Sequence, residues 1–274
     1  MPHITTTDGA RIWYEEKGQG KPLVMLHGWG CSPEFFIRNT NELAKSYRVV
    51  NMALRGHYKS DKVEYGHRIS RYAADLRDLI HSLGLQQVTV LGWSMGAGVV
   101  WSHYELFGAD YMDRMIVVDQ SPRQYYSFGS QEWQGTHLSC YDAESLMILN
   151  TTLQLDSMSI ARSLPSACFP TGITPTEEET AFFAEQIEMT PWWVRATIMA
   201  DHTNLDWRDL LPRITIPTLV VAGRKNQVFA GEGTFYPGRT IPNAKLVIFE
   251  ESGHMPFYNE ATKFNRVVSE FLDS

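Results

Sequence analysis

Short apolar-rich runs recur along the chain, and each ends in a glycine-bearing or polar segment. Pro22–Leu26 precedes His27-Gly28-Trp29-Gly30, Tyr47–Met52 precedes Leu54–Asp61, and Val88–Leu91 precedes Gly92-Trp93-Ser94. Met115–Val118 leads into Asp119, Thr218–Ala222 into Gly223, and Lys245–Phe249 into Glu250. Runs this short and continuous predict strands buried on both faces, as in a parallel sheet. Helical spacing separates them. Tyr72, Leu76, Leu79, Ile80 and Leu83 share one face, with Ser70 as the expected cap and Gly84 as the stop. Phe264, Val267, Val268 and Phe271 space a closing helix. Strand and helix in alternation predict a parallel sheet with crossover helices. Ahead of them, Ile4 to Glu16 alternates as a hairpin does, with Asp8-Gly9 at the turn and both strands expected at the edge.

One gap breaks the alternation. No sheet-type run lies between Asp119 and Thr218, and the stretch from Arg123 to Asp206 carries helical signals instead. Asp142 precedes Leu146, Leu149 and Leu153; Thr176 with Glu179 forms a capping-box pattern; Thr190-Pro191 opens Trp192-Trp193-Val194-Arg195. The expected organisation is one α/β body, 1–122 and 207–274, with a helical cap, 123–206. Trp133, Phe169, Trp192 and Trp193 are the aromatic residues of the cap that would wall an apolar pocket, although such residues also serve as plain core.

Length and composition suit this picture. A chain of 274 residues, 43 % hydrophobic and 20 % charged, matches a globular protein with one large core. Its start, Met-Pro-His-Ile-Thr, lacks a signal-peptide pattern and no apolar run reaches membrane-span length, so a cytoplasmic protein without membrane association is expected. The net charge of −7 argues against nucleic acid as a partner. That charge is concentrated: 123–206 holds three basic and eleven acidic residues, so the cap is near −8 and the body near +1. Cys31, Cys140 and Cys168 are widely separated and outside any metal-ligand spacing, so free buried thiols are expected, with no metal and no cofactor.

The chemistry centres on Gly92-Trp93-Ser94-Met95-Gly96-Ala97-Gly98. A strand before it and a helix after it place Ser94 on a sharp strand-to-helix turn that lifts its hydroxyl clear of the sheet. The Met95 amide, at the positive end of the following helix, can face an oxyanion forming beside Ser94, and the Trp29 amide is the expected second donor. His27 reads as a structural histidine bracing its loop. Asp119 stands beyond the carboxyl end of a strand, where ligands bind in open α/β sheets. His254, in Ser252-Gly253-His254, sits on a loop free to lean toward Ser94.

The order His27-Gly-Trp-Gly, Gly92-Trp-Ser-Met-Gly, a carboxylate, then Ser252-Gly-His254 resembles the α/β-hydrolase superfamily across nearly the whole chain. In motifs it is most similar to pimeloyl-carrier-protein methyl esterases and to non-haem haloperoxidase-type esterases. The resemblance implies a mostly parallel eight-stranded sheet with helices on both faces and an inserted helical cap. It also implies Ser94 as nucleophile, His254 as base, and the Trp29 and Met95 amides as oxyanion hole. The chain departs from the family at Gly223-Arg-Lys-Asn226, where most members carry the triad acid, and at Tyr58, where they usually carry glycine. Asparagine supplies no charge to an imidazolium, so Asp119, at a position some members use, becomes the expected acid; a local turn acceptor is the other reading of Asp119. Glu250 and Glu251 lie too close to His254 along one loop to reach the far side of its ring.

The expected activity is therefore that of a serine hydrolase cleaving a small carboxylic ester through an acyl-enzyme. C–C hydrolysis, lactone opening and acyl transfer use the same groups and stay open, and cofactor-free dioxygenation is a third reading. A serine at the elbow excludes the dehalogenase and epoxide-hydrolase chemistry that needs aspartate there. An acidic carrier protein would be repelled by the acidic cap, so a free small ester is preferred as partner. The alternative from another class is a non-catalytic small-molecule receptor, in which Asn226 records lost catalysis.

Overall fold

The structure, a computed structural model, describes residues 2–125, 140–229 and 231–274. Among them eight strands form one sheet: β1 (His3–Thr5), β2 (Arg11–Lys17), β3 (Pro22–Leu26), β4 (Arg48–Met52), β5 (Val88–Trp93), β6 (Met112–Val118), β7 (Thr218–Gly223) and β8 (Ala244–Phe249). They are ordered β1-β2-β4-β3-β5-β6-β7-β8, with β2 antiparallel to its neighbours and the rest parallel. The reason for the continuous apolar runs is visible in how each strand divides between two cores. Val24, Leu26, Val90, Val117 and Val220 face one side, packed with α2 (Ile69–Ser82) and α3 (Met95–Phe107). Leu23, Met25, Leu91, Ile116 and Val221 face the other, packed with α1 (Thr40–Leu43), α9 (Pro256–Asn259) and α10 (Ala261–Leu272). With both faces covered, both parities are mostly apolar, and the few buried polar residues, such as Asn51, Thr89 and Thr218, are small or hydrogen-bonded.

Helices α4 (Ala143–Leu155), α5 (Ser157–Cys168), α6 (Glu177–Glu188) and α7 (Trp192–Thr203) stand between β6 and β7, and α8 (Gly231–Thr240) between β7 and β8. Their starts follow the sequence signals. Asp142 accepts from the Ser145 amide at 2.8 Å, and Thr176 and Glu179 cap each other's backbone amides. The chain enters and leaves this insertion through one neck: Arg123 bridges Asp206, and the Trp207 amide donates to Pro122 O at 3.0 Å. Phe183 of α6 ties the insertion to the body, its ring 4.6 Å from that of Phe35 and 5.0 Å from that of Tyr258.

Two expectations need correction. Only β1 of the amino-terminal hairpin is at the edge, because β2 also pairs with β4. The α2 helix begins at Ile69, not after a Ser70 cap, because Asp201 of α7 reaches across to accept the Ile69 amide at 2.8 Å. A cap supplied by a distant element leaves no local signal. No helix among the described residues is long and apolar enough to cross a membrane.

Candidate active site

Strand β5 ends at Trp93 and α3 begins at Met95, so Ser94 alone makes the turn, at φ 53° and ψ −125°. A side-chain-bearing residue holds such a conformation only where its surroundings enforce it. Here the Ser94 amide is tied to Val118 O at 2.9 Å. The glycines enforce the rest: a Cβ on Gly96 would stand 2.6 Å from Leu26 O, and one on Gly92 would strike the Gly96 backbone. Among the described residues neither the Met95 amide, the first of its helix, nor the Trp29 amide is spent on a protein acceptor. Two buried imidazoles brace the Trp29 loop. His27 donates through Nδ1 to Gly28 O at 2.9 Å and accepts the Leu54 amide on Nε2 at 3.1 Å. His57 repeats the pattern, donating to Arg55 O at 2.9 Å and accepting the Gly30 amide at 3.2 Å. Burial pushes the His27 pKa down to about 4 and that of His57 well below its usual value, which keeps both acceptor nitrogens available.

His254 and Asp119, 135 residues apart, are brought into contact, with Nδ1 2.6 Å from Asp119 Oδ2. Asp119 is fully buried at φ 53°, just past β6. Its carboxylate accepts three donors: His254 Nδ1 and the Asn226 amide on Oδ2, and the Gly223 amide on Oδ1 at 2.9 Å. Asn226 is itself oriented, because its Oδ1 accepts the Val228 amide at 2.8 Å and the Phe229 amide at 3.2 Å. The residue at the family's usual acid position thus supports the carboxylate that His254 contacts. The imidazole is held in turn. Its own amide donates to Cys168 O at 2.9 Å, its carbonyl accepts Trp93 Nε1 at 2.9 Å, and its ring lies between those of Trp93 and Phe229. Glu250 pairs outside with Arg224 and Glu251 with Lys225, away from the imidazole.

This order of parts has counterparts among known proteins. A family profile described as the alpha/beta hydrolase fold matches residues 21–261. The chain belongs to the α/β-hydrolase family. It is 29 % identical over its full length and that of the relative to a non-heme chloroperoxidase of Kitasatospora aureofaciens. Over 92 % of this chain and 95 % of the relative, it is 26 % identical to a pimeloyl-[acyl-carrier protein] methyl ester esterase of Vibrio atlanticus. An esterase from Exiguobacterium antarcticum superposes with a TM-score of 0.90 at 28 % identity, covering 99 % of both chains.

Ser94 and His254 of the hydrolase line one cavity, together with Gly28, Trp29, Cys31, Trp93, Val228 and Phe229 from the body. Gln124, Cys140, Tyr141, Leu164, Cys168, Met199 and His202 complete its described wall from the insertion. All three cysteines therefore meet there as free thiols; Cys31 and Cys168 are buried as expected, while Cys140 is half-buried. Three of the aromatic residues expected to wall the pocket, Phe169, Trp192 and Trp193, do not lie on its described wall. Phe169 belongs to the aromatic layer behind it, with Phe183 and Tyr258. Trp192 is exposed, and Trp193 packs edge-on to His67 at the other end of α7. The cavity meets α7 at Met199 and His202, and seven residues at about 1.5 Å each put Trp192 roughly 10 Å further along the axis. Trp133 lies outside the described residues. Among the described residues no group of three or more His, Cys, Asp or Glu side chains is placed to hold a metal ion.

Sequence reasoning missed His57, Gln124, Asn226 as a support, and His202. A glycine-flanked histidine in Arg55-Gly56-His57 was the one local signal for the first. The others acquire their roles only through partners more than seventy residues away.

Proposed function

We propose that this hydrolase cleaves a small, uncharged carboxylic ester through an acyl-enzyme on Ser94, with His254 as base and Asp119 as the acid of the triad. The observation that carries the reading is the 2.6 Å contact between His254 Nδ1 and the buried Asp119 carboxylate. With Nδ1–H donated to Asp119, Nε2 is the basic nitrogen that takes the Ser94 proton as the hydroxyl attacks the ester carbonyl. Negative charge then develops on the carbonyl oxygen beside the unspent Trp29 and Met95 amides. His254 returns its proton to the leaving alcohol, water repeats the attack on the acyl group, and the acid departs. Asp119 stays ionised throughout and stabilises the imidazolium.

Insertion 123–206 acts in this reading as a cap supplying the specificity wall, and its acidic surface disfavours acidic carrier proteins as partners. The relatives named esterases support ester hydrolysis in general. The receptor reading loses its motive, since Asn226 sits beside a carboxylate that replaces the one it lacks. Hydrolysis of short-chain p-nitrophenyl esters by wild type and Ser94→Ala tests the proposal. Wild type turns over, and Ser94→Ala falls by about 10⁴-fold or more with an unchanged circular dichroism spectrum. Equal turnover by the two proteins contradicts it.

A further inference from the structure

We propose that Gln124 and His202 form a neutral hydrogen-bonding subsite in the catalytic cavity, so that the ester cleaved carries an uncharged oxygen function, hydroxyl or keto, near its carbonyl. This rests on the ester-hydrolase reading above.

Both side chains line the cavity that holds Ser94 and His254 while being only 4 % and 3 % exposed. Gln124 stands at the neck, its backbone fixed where its carbonyl accepts the Cys140 and Tyr141 amides, each at 3.1 Å. Its side-chain amide donates to His202 Nε2, and among the described residues its Oε1 has only a long contact, 3.9 Å, from Cys140 Sγ. His202 therefore carries its proton on Nδ1, which has no hydrogen-bond partner among the described residues. A wall that needed only bulk would hold Leu or Met here, because a buried imidazole with an unspent nitrogen is costly.

The body makes room for that imidazole. A Cβ on Gly98, four residues after Ser94, would come within 3.1 Å of His202 Cε1 and 3.3 Å of Nδ1. Gly98 thus admits a polar group from the insertion to the wall of the site. Burial pushes His202 down to a pKa of about 3, so it offers hydrogen bonds and no charge. No Lys, Arg, Asp or Glu is among the described lining residues. A second carboxylate on the substrate would meet no cation, whereas a hydroxyl or ketone can use a neutral amide and imidazole.

The test compares kcat/KM for methyl butyrate, methyl β-hydroxybutyrate, methyl acetoacetate, hydroxyethyl butyrate and monomethyl succinate, in wild type, Gln124→Met and His202→Leu. Wild type is expected to favour the oxygenated esters over methyl butyrate by about tenfold or more, with monomethyl succinate the poorest. Preference for methyl β-hydroxybutyrate and methyl acetoacetate places the oxygen on the acyl side, and preference for hydroxyethyl butyrate places it on the alcohol side. In either variant the ratio is expected to fall to within about twofold of one; a ratio within one protein is insensitive to the fraction folded. A wild-type ratio near one, or a ratio that survives both variants, overturns the subsite while leaving the hydrolase reading intact. Failure of wild type to cleave any of these esters overturns both.

Discussion

In the body of the hydrolase, short-range backbone features position the chemistry. Ser94 is set by one left-handed residue between strand and helix, and Asp119 by another just past β6. The insertion works through hydrogen bonds that side chains make to separate elements. Trp29 Nε1 donates to Arg195 O of α7 at 2.8 Å, Ser32 Oγ to Gln186 Oε1 of α6 at 3.1 Å, and Arg195 Nη2 to Glu188 Oε1 at 3.0 Å. Gln124 reaches His202 in the same manner. The first kind of placement is written into a few consecutive residues and suits groups that must not move. The second distributes the site over a surface in which any partner can change without disturbing the sheet. The proposed division, catalytic groups on the body and specificity groups on the insertion, accords with that difference.

Substitutions can break the comparison, beginning with the body. Asp119→Asn keeps the shape of the acid and removes its charge, and is expected to lower kcat by about 10³- to 10⁴-fold with little change in KM. A loss confined to KM would move Asp119 to a structural role. Phe183→Ala removes the ring joining α6 to Phe35 and Tyr258, with an expected cost of about 3–5 kcal/mol in chemical denaturation. If insertion and body unfold together the loss appears in a single transition, whereas a separate early transition would show the insertion to be the weaker unit. Trp29→Phe deletes the indole bond to Arg195 but retains the backbone amide, so kcat should fall only about three- to tenfold. A larger loss would mean that the insertion sets the oxyanion amide itself.

Acid should affect both regions through buried histidines. His27, His57 and His202 have folded pKa values depressed below 6.5, so the folded state keeps them neutral while the unfolded chain takes up protons. Stability is at its full value above 6.5 and declines as pH falls toward 4, the folded value of His27. Thermal denaturation across that window should show Tm falling with pH, accompanied by proton uptake on unfolding. A flat profile would contradict the assignment of neutral imidazoles as acceptors for the Leu54 and Gly30 amides.

The same contrast explains what was legible in the sequence. Buried strands and the Ser94 turn announce themselves because burial on two faces and a strained turn each demand particular residues in succession. That Asp119 meets His254 was readable by elimination, since Asn226 could not supply charge, although the bond between Asp119 and Asn226 was not. Helix starts were readable where caps are local, at Asp142 and Thr176 of the insertion, and misread in the body at Ile69, whose cap comes from Asp201. The pocket wall was misassigned because aromatic content marks burial, and Phe169 and Trp193 are buried or half-buried against other rings rather than against the cavity. Tyr58 shows the limit of a family pattern. It holds φ 46° where glycine is usual, secured by its hydroxyl donating to Glu34 Oε1 at 2.9 Å and its ring against Trp13.

The central claim is that Ser94 is activated through His254 by the carboxylate after β6. The most direct measurement is the rate and site of covalent labelling by a fluorophosphonate, followed by intact mass and peptide mapping, in wild type and Asp119→Asn. The account predicts one adduct, on Ser94, formed at least about 10³-fold more slowly when Asp119 is Asn. An adduct on another residue, or equal rates in the two proteins, would contradict it.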